Sequence, residues 1–415
     1  MKKTSLFSLS AFWFAWELQW AALLGAATQG QIARFAPADL IGTATAVLIG
    51  SGAALSIIAQ YSSGKISDRL GRRMPFIVAG TLVDVVALFG FALSPSFLAV
   101  VLAFAGVQIS LNVACGPYQA LMPDRVERAA RGRASAVMGV LRLLGVAAGI
   151  VAAKIFVHQP GPHVPAAVFQ SGLVWLAIVI SIVLLAALAL TVAGVPDGQE
   201  ARTSESAASG SDWPFQTSFT WLVVSRAAVN LGQYLILPFL AFYLRYALHV
   251  TSYLKTSLDL LLVMIGCALI GTVPAGIAGD RMPKKKIIYA ALVLLAAGAL
   301  SLSLVTRASS VLGIGVLLGL GWGAYYSVDW ALACVLLPEG RAGALMAIWN
   351  IGASAPQVAA PILGGLIIDR TNAMAHDLGA GYRVVFALIA VFVALGAVAL
   401  AFVREPRAGV PARSE

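Results

Sequence analysis

The chain alternates long apolar runs with short polar interruptions along its whole length. Most runs approach the ~20 residues that an α-helix needs to cross a bilayer, and they lack the alternating ~10-residue pattern of a membrane β-strand. Twelve transmembrane helices are therefore predicted, at residues 6–27, 40–62, 75–93, 96–122, 134–157, 165–194, 216–246, 252–278, 286–305, 309–337, 342–368 and 382–403. The pattern indicates an all-α polytopic membrane protein.

One polar segment differs from the other interruptions in length and composition. Residues 194–214 read GVPDGQEARTSESAASGSDWP, a Ser/Ala-rich stretch without periodicity that is typical of a flexible linker. We therefore predict an N-terminal six-helix bundle at 1–194, a cytoplasmic linker at 195–215, and a C-terminal six-helix bundle with a short cytoplasmic tail at 216–415.

Composition and charge support a membrane protein. The chain is 60% hydrophobic and 11% charged, whereas soluble domains carry roughly 25% charged residues. With the N-terminus inside, 19 of the 28 Lys and Arg residues fall on the cytoplasmic side and 7 on the outer side, while Arg142 and Arg226 lie within spans. The positive-inside rule then places both termini in the cytoplasm, in the plasma membrane or, for a bacterial chain, the inner membrane. The same asymmetry explains the net charge of +10 without nucleic acid.

Internal repeats indicate two related halves. The stretch GKISDRLGRR, from Gly64 to Arg73, has a degenerate copy, GIAGDRMPKK, at 276–285. Residues 132–138 are echoed at 340–346, and residues 123–124 at 338–339. Three matches in the same order predict two pseudo-symmetric six-helix bundles, an architecture of many secondary transporters.

The motif Gly64-x-x-x-Asp68-Arg69-x-Gly71-Arg72-Arg73 resembles the signature loop between spans two and three of the major facilitator superfamily. The resemblance covers nearly the whole chain and implies rocker-switch alternating access, with spans 1, 4, 7 and 10 lining the cavity. It places this loop near the start of span 11, where Asp68 would accept hydrogen bonds and help to close an inner gate. The gating residues predicted in this way are Gly64, Asp68, Arg69, Gly71, Arg72, Arg73, Asp124, Asp280 and Arg281.

A narrower resemblance concerns two short elements. Residues 71–77, GRRMPFI, are similar to the GRRRPFI element of sucrose and related glycoside–cation symporters, and residues 116–124, GPYQALMPD, resemble their GPxRALxxD element. Met74 and Gln119 each replace an arginine of that pattern. The second replacement argues against sucrose itself as the substrate.

Charged residues within spans need a partner or a water-lined cavity, because burying each costs ~2.5–3.5 kcal/mol on insertion scales. Glu17 shares one face of span 1 with Trp13 and Trp20. That face suits a cation, a proton or a polyol ring, or else Glu17 pairs with a neighbouring span. Arg142 on span 5 needs an acid, either Glu17 or Asp329. Because burial favours the neutral form of a carboxyl group, Glu17, Asp329 and Arg142 are the predicted proton-coupling residues.

Polar and aromatic stripes mark the other spans of the implied cavity. They either face a wet surface or serve interhelical hydrogen bonds and core packing. Arg226 either binds an anionic group or pairs with an acid, and Asp84 on span 3 is expected to be a structural partner rather than a proton carrier. The predicted substrate-binding residues are Trp13, Trp20, Gln108, Asn112, Gln119, Arg226, Asn230, Gln233, Trp322, Tyr325 and Asn350.

The sequence contains no G-x-x-x-x-G-K-[ST] loop, so a gradient rather than ATP should drive transport. No catalytic constellation, metal spacing or cofactor motif emerges, so we expect a monomeric transporter rather than an enzyme, with a small-molecule substrate, H⁺ and the lipid bilayer as its partners. Proton-coupled import of a sugar or glycoside is the favoured function. The alternatives are proton-driven efflux of amphiphilic compounds and a transporter-like receptor or scaffold. Span 5 lacks the Gly-Pro pair usual in drug antiporters of this superfamily.

Overall fold

The computed structural model describes residues 5–126, 131–161, 164–195, 217–336 and 342–405. Within these ranges the chain forms twelve helices, which we number α1 to α12, and no β-strand beyond an isolated bridge between Gly161 and Val164. The predicted all-α fold is confirmed. Eleven of the twelve, α2 to α12, are long and apolar enough to cross a membrane. The first helix carries polar residues and tryptophans that lower its mean hydropathy.

The helices of the first half are α1 (consecutive segments Leu6–Ala22, Leu23–Ala27 and Thr28–Phe35), α2 (Ala38–Leu40, Ile41–Thr45, Ala46–Gly50 and Ser51–Leu70), α3 (Met74–Ala92), α4 (Phe97–Arg125), α5 (Arg131–Phe156) and α6 (Ala166–Gly194). Those of the second half are α7 (Thr217–Gln233 and Ile236–Tyr246), α8 (Tyr253–Arg281), α9 (Lys284–Leu304), α10 (Ala308–Ser310 and Val311–Leu336), α11 (Ala342–Ala375) and α12 (Ala380–Ala401).

Helix α1 extends eight residues beyond the predicted span because its polar residues find partners inside the protein. A π-helical segment, Leu23–Ala27, interrupts the α-helix. The Thr28 hydroxyl donates to the Leu23 carbonyl at 3.0 Å, and the Gln29 amide donates to the Leu24 carbonyl at 2.7 Å. Gln31 reaches the Phe91 carbonyl on α3 at 2.8 Å. Buried polar groups that are satisfied in this way do not end a helix.

Helix α2 also continues past its apolar run, so most of the charged stretch is helical rather than a loop. The residues from Gly64 to Leu70 form the last two turns of α2, and only Gly71 to Arg73 connect it to α3. A helix leaving the bilayer keeps its backbone hydrogen bonds, so charged side chains need not end it. The hairpin predicted over ten residues is therefore a three-residue turn.

Helix α7 is broken near its middle, which the sequence analysis did not predict. One segment ends at Gln233 and the next begins at Ile236. Pro238 lacks a backbone N–H, so the carbonyl of Tyr234 loses its usual helical donor. The break therefore falls one turn before the proline.

Contacts divide the chain into two compact units, Met1–Thr203 with Ser252–Leu258, and Ser204–Thr251 with Asp259–Glu415. Within the first unit, α1 packs on α5 and α6, and α3 packs on α4 and α6. Within the second unit, α7 packs on α11 and α12, and α9 packs on α10 and α12. Each of these four helix pairs has its counterpart six helices later, as a duplicated bundle requires. The predicted linker lies largely outside the described residues, and the domain bounds stay a prediction.

Candidate functional site

An ion pair joins α1 and α5 in the N-terminal unit. The guanidinium of Arg142 contacts Glu17 Oε1 through Nε at 2.7 Å and through Nη2 at 2.5 Å. It also lies over the Trp13 ring, 4.6 Å from the ring centroid. The Arg142 side chain is 45% exposed and that of Glu17 is 17% exposed. Of the two acids considered for Arg142, Glu17 is the one it contacts, and the pair is only partly buried.

Close approach of the two helix backbones makes this pair possible. Gly145 lies one turn after Arg142, and a Cβ there would lie 3.1 Å from the Glu17 Cβ and closer still to the Phe14 carbonyl oxygen. Only a residue without a side chain lets α5 approach α1 this far. The glycine therefore sets the separation at which the guanidinium reaches the carboxylate.

A chain of aromatic rings extends from Trp13, the residue that contacts Arg142. The Trp13 ring meets those of Trp16 and Tyr118 edge-on, at centroid distances of 6.2 Å and 5.8 Å. Trp20 likewise contacts Trp16, at 6.0 Å. A narrow cleft runs past this group, lined by Leu9, Ser10, Trp13, Tyr118, Met122, Ala134 and Met138. The sequence analysis predicted Trp13 and Trp20 for substrate binding but missed Trp16 and Tyr118.

The polar stripe on α4, formed by Gln108, Asn112, Cys115 and Gln119, makes hydrogen bonds mainly within α4 itself. Gln108 and Asn112 are buried, and the Asn112 amide donates to the Gln108 carbonyl at 2.7 Å. Gln119 is exposed and donates to Cys115 Sγ at 3.2 Å. Cys115 lies within electrostatic range of Arg142 and Glu17. Cys115 belongs to this stripe, between Asn112 and Gln119, and was not among the predicted substrate-binding residues.

A second ion pair joins α7 and α10 in the C-terminal unit. Arg226 Nη1 contacts Asp329 Oδ2 at 2.5 Å, and the two side chains are only 11% and 2% exposed. The guanidinium also lies 4.3 Å from the ring centroid of Trp349 on α11. Tyr325 lies one turn before Asp329 on α10, and its buried hydroxyl has no hydrogen-bond partner among the described residues. Three helices therefore converge on one buried charge pair.

A separate hydrogen-bond network begins one turn after Arg226 on α7. The Tyr326 hydroxyl lies against the side-chain oxygens of Asn230, at 3.1 Å, and Gln233. The Asn230 amide in turn donates to the Gly352 carbonyl on α11 at 3.1 Å. Asn350 is exposed on α11, whereas the adjacent Trp349 is buried against Arg226. The structure thus joins Asn230 and Gln233 to this network and leaves Asn350 outside it.

Several buried donors beside the second pair have no acceptor among the described residues. They are Arg226 Nε, Trp322 Nε1, Tyr325 Oη and Trp349 Nε1. Trp322 packs on Tyr325 and Tyr326 at centroid distances of 6.1 Å and 5.7 Å, so its indole belongs to the same cluster. An unsatisfied buried donor is costly, and a ligand rich in oxygen acceptors would satisfy this set.

The two copies of the signature stretch have different local partners. In the first copy, Gly71 adopts a left-handed conformation with φ of 66°, which ends α2, and Arg73 pairs with Asp68 at 2.8 Å. In the second, the Glu405 carboxylate accepts from the backbone N–H groups of Lys284, at 2.8 Å, and Lys285, at 3.3 Å. Glu405 therefore caps the start of α9 from the C-terminal tail.

The other predicted gating residues are less constrained. Arg69, Arg72 and Arg281 are exposed, and a Cβ added at Gly64 would meet no atom within 4 Å. The side chains of Asp124 and Asp280 lie outside the described part of the chain, as do Arg341 and the side chains of 342–347, against which Asp68 was expected to close. Over the described ranges, no group of three or more His, Cys, Asp or Glu residues is arranged to hold a metal ion.

Solved structures with the same fold come from several kinds of transporter. A bacterial homolog of the human lysosomal transporter Spinster matches with a TM-score of 0.77 at 14% identity, covering 96% of each chain. A D-xylose–proton symporter matches with a TM-score of 0.72 at 16% identity, covering 96% of this chain and 97% of its own. A nucleoside transporter matches with a TM-score of 0.70 at 11% identity, over 95% and 98%. At these identities the likeness shows the fold alone.

Sequence comparison identifies the family. No protein with a curated function matches the chain. The family model of the Major Facilitator Superfamily matches it twice, over residues 4–264 and 222–415. Those matches cover nearly every residue and, like the fold, indicate a multi-pass membrane transporter rather than an enzyme. The chain therefore belongs to the Major Facilitator Superfamily.

Proposed function

We propose that this chain is a secondary active transporter that couples proton movement to the import of a sugar or glycoside by alternating access. The observation that carries the proposal is the Glu17–Arg142 pair, which lies against the Trp13 ring and is only partly buried. It combines a proton-binding group with a surface suited to a sugar ring. Plasma-membrane location, cytoplasmic termini and a monomeric state belong to the same proposal.

The pair provides a physical route to coupling. Protonation of Glu17 removes the negative charge that holds Arg142, so proton uptake and the ion pair oppose each other. A substrate that binds Arg142 or displaces it from Glu17 would therefore change the proton affinity of the carboxyl group, and by linkage the proton would change the substrate affinity. Asp329 is the second candidate for the proton, although its pair with Arg226 is almost closed to solvent.

The aromatic groups and unpaired donors support a polyol substrate. Indole rings bury large apolar faces, and the Nε1 donors of Trp322 and Trp349 lack acceptors among the described residues. Hydroxyl oxygens of a sugar would supply such acceptors, with a few polar groups fixing its orientation. The glycoside-symporter elements at 71–77 and 116–124 and the D-xylose–proton symporter among the fold neighbours are consistent with this class.

The direct test is uptake into proteoliposomes under an imposed inward proton gradient. We expect at least one labelled mono- or disaccharide to enter faster with the gradient and to lose that advantage when a protonophore is added. If no sugar of the panel shows gradient-dependent entry, sugar symport is wrong. Gradient-driven extrusion of an amphiphilic dye would instead establish the efflux alternative.

A thermal-shift screen of sugars, nucleosides and organic acids narrows the substrate, because a bound ligand stabilises the protein by mass action. A matched pair of tryptophans on α10 sharpens the screen. Trp322 is 6% exposed and Trp330 is 50% exposed. Trp322→Phe, which removes a donor and keeps an aromatic ring, should reduce the ligand-induced shift, whereas Trp330→Phe should preserve it. Equal shifts in both variants would remove Trp322 from the binding site.

A further inference from the structure

A third acidic residue lies within the N-terminal unit, away from the Glu17–Arg142 pair. Asp84 on α3 is 0% exposed. Its Oδ1 accepts from the Gln19 amide on α1 at 3.3 Å and from the Ser110 hydroxyl on α4 at 3.1 Å. One carboxyl group therefore connects three helices, and both of its donors are neutral.

No cation balances this carboxyl group among the described residues. Helices α3 and α6 contain no other ionisable side chain between residues 74 and 92 or between 166 and 194. On α1 the ionisable groups are Glu17 and Arg34, and on α4 they are Cys115, Tyr118, Asp124 and Arg125. Arg34 and Arg125 each lie 15 residues from the group that contacts Asp84, about 22 Å along a helix. Arg142 on α5 is occupied by Glu17.

The hydrogen bonds around Asp84 leave two oxygens without a donor. Asp84 Oδ2 and Gln19 Oε1 are both buried and have no partner in the described part of the chain. An ionised carboxylate can only accept, so neither oxygen could satisfy the other. A protonated carboxyl gains one O–H donor, and the amide oxygen of the same Gln19 side chain is an acceptor that lacks one. One proton would thus remove both deficits.

We propose that Asp84 is a proton-binding site separate from transport coupling: its carboxyl group holds a proton throughout the cycle and fastens α1, α3 and α4 together as a neutral hydrogen-bonding group. A proton fits better than a sodium ion, because a hard cation takes several oxygen ligands and only two oxygens here are free. The site goes beyond the proposed symport function, since it requires neither a sugar nor Glu17.

The test is infrared difference spectroscopy of the purified protein near neutral pH. The carbonyl band of a protonated carboxylic acid should be present in the wild type, shift in D₂O, and disappear in Asp84→Asn. Glu17→Gln is the matched control and should keep the band. If Asp84→Asn leaves the protonated-carboxyl region unchanged, Asp84 is ionised and the proposal is wrong.

Two further measurements distinguish the remaining roles. Because an amide can donate to Gln19 Oε1 and accept from Ser110, Asp84→Asn should retain the wild-type unfolding temperature and gradient-driven uptake, while Asp84→Leu should unfold at a lower temperature. Loss of accumulation in Asp84→Asn with exchange intact would mean that the proton takes part in coupling. Stabilisation of the wild type, but not of Asp84→Asn, by sodium over potassium would mean a sodium site. Either result overturns the proposal.

Discussion

The two units place similar chemistry in different surroundings. In each, an arginine pairs with a carboxylate and lies over an indole ring, 4.6 Å from Trp13 in the N-terminal unit and 4.3 Å from Trp349 in the C-terminal unit. The arginine of the first pair is 45% exposed, whereas that of the second is 11% exposed. An exposed pair can open at little cost, while a buried pair is held by the cost of leaving either charge alone. From this comparison we predict that the Glu17–Arg142 pair opens during transport, whereas the Arg226–Asp329 pair stays closed and holds α7 and α10 together.

The largest effect on stability should come from breaking the buried pair. Arg226→Met leaves Asp329 as an uncompensated buried charge and should destabilise the protein by about 3–5 kcal/mol. Arg142→Met leaves Glu17, whose side chain is less deeply buried than that of Asp329, and should therefore destabilise the protein less than Arg226→Met does. Thermal unfolding of both variants in the same detergent measures the difference.

A double variant shows whether the uncompensated charge is the cause. Arg226→Met combined with Asp329→Leu should recover most of the loss, because neither charge then remains buried. Equal destabilisation by Arg226→Met and Arg142→Met would contradict the distinction between the two pairs.

Helix separation provides a second, smaller effect. Gly145→Val places a side chain against the Phe14 carbonyl and should cost about 1–3 kcal/mol through overpacking. Gly139→Val on the same helix, where no atom of another helix lies within 4 Å, controls for helix propensity. In the C-terminal unit, a Cβ on Gly352 would lie 3.3 Å from the Val223 carbonyl oxygen. Gly352→Val should therefore destabilise the protein more than Gly139→Val and less than Gly145→Val. An unfolding temperature of Gly145→Val equal to that of Gly139→Val would rule out the close approach.

The smallest effect on stability is expected at the cytoplasmic turns. Asp68 is 52% exposed, so Asp68→Asn should cost about 1 kcal/mol or less and act mainly by slowing substrate exchange. Asp280→Asn should slow exchange less, because Glu405 already supplies acceptors to the start of α9. Substrate exchange rates in proteoliposomes test this order. A greater loss of exchange rate in Asp280→Asn than in Asp68→Asn would mean that the second turn is the more important one.

Apolar runs predicted the helices well, because a bilayer-crossing segment is specified by length and hydrophobicity. They predicted the helix ends poorly. Thr28 and Gln31 look like the end of a span, yet both are buried and hydrogen-bonded within the protein. The break before Pro238 could have been predicted from the missing backbone donor.

The site residues were harder to predict, since a single helical face does not say which neighbouring helix it meets. Arg142 had two candidate acids, and only the packing of α5 on α1 selects Glu17. On α11 the polar face pointed to Asn350, whereas the buried indole of Trp349 contacts Arg226. Contacts of this kind depend on helix rotation and tilt, which one sequence does not fix.

The most direct test of proton coupling through the N-terminal pair is made with Glu17→Gln. Gradient-driven accumulation and gradient-free exchange of the same labelled sugar would be measured in parallel proteoliposomes, with Asp39→Asn, an exposed acid, as the control. The account predicts that Glu17→Gln abolishes accumulation and retains exchange, while Asp39→Asn retains both. Undiminished accumulation in Glu17→Gln would contradict it.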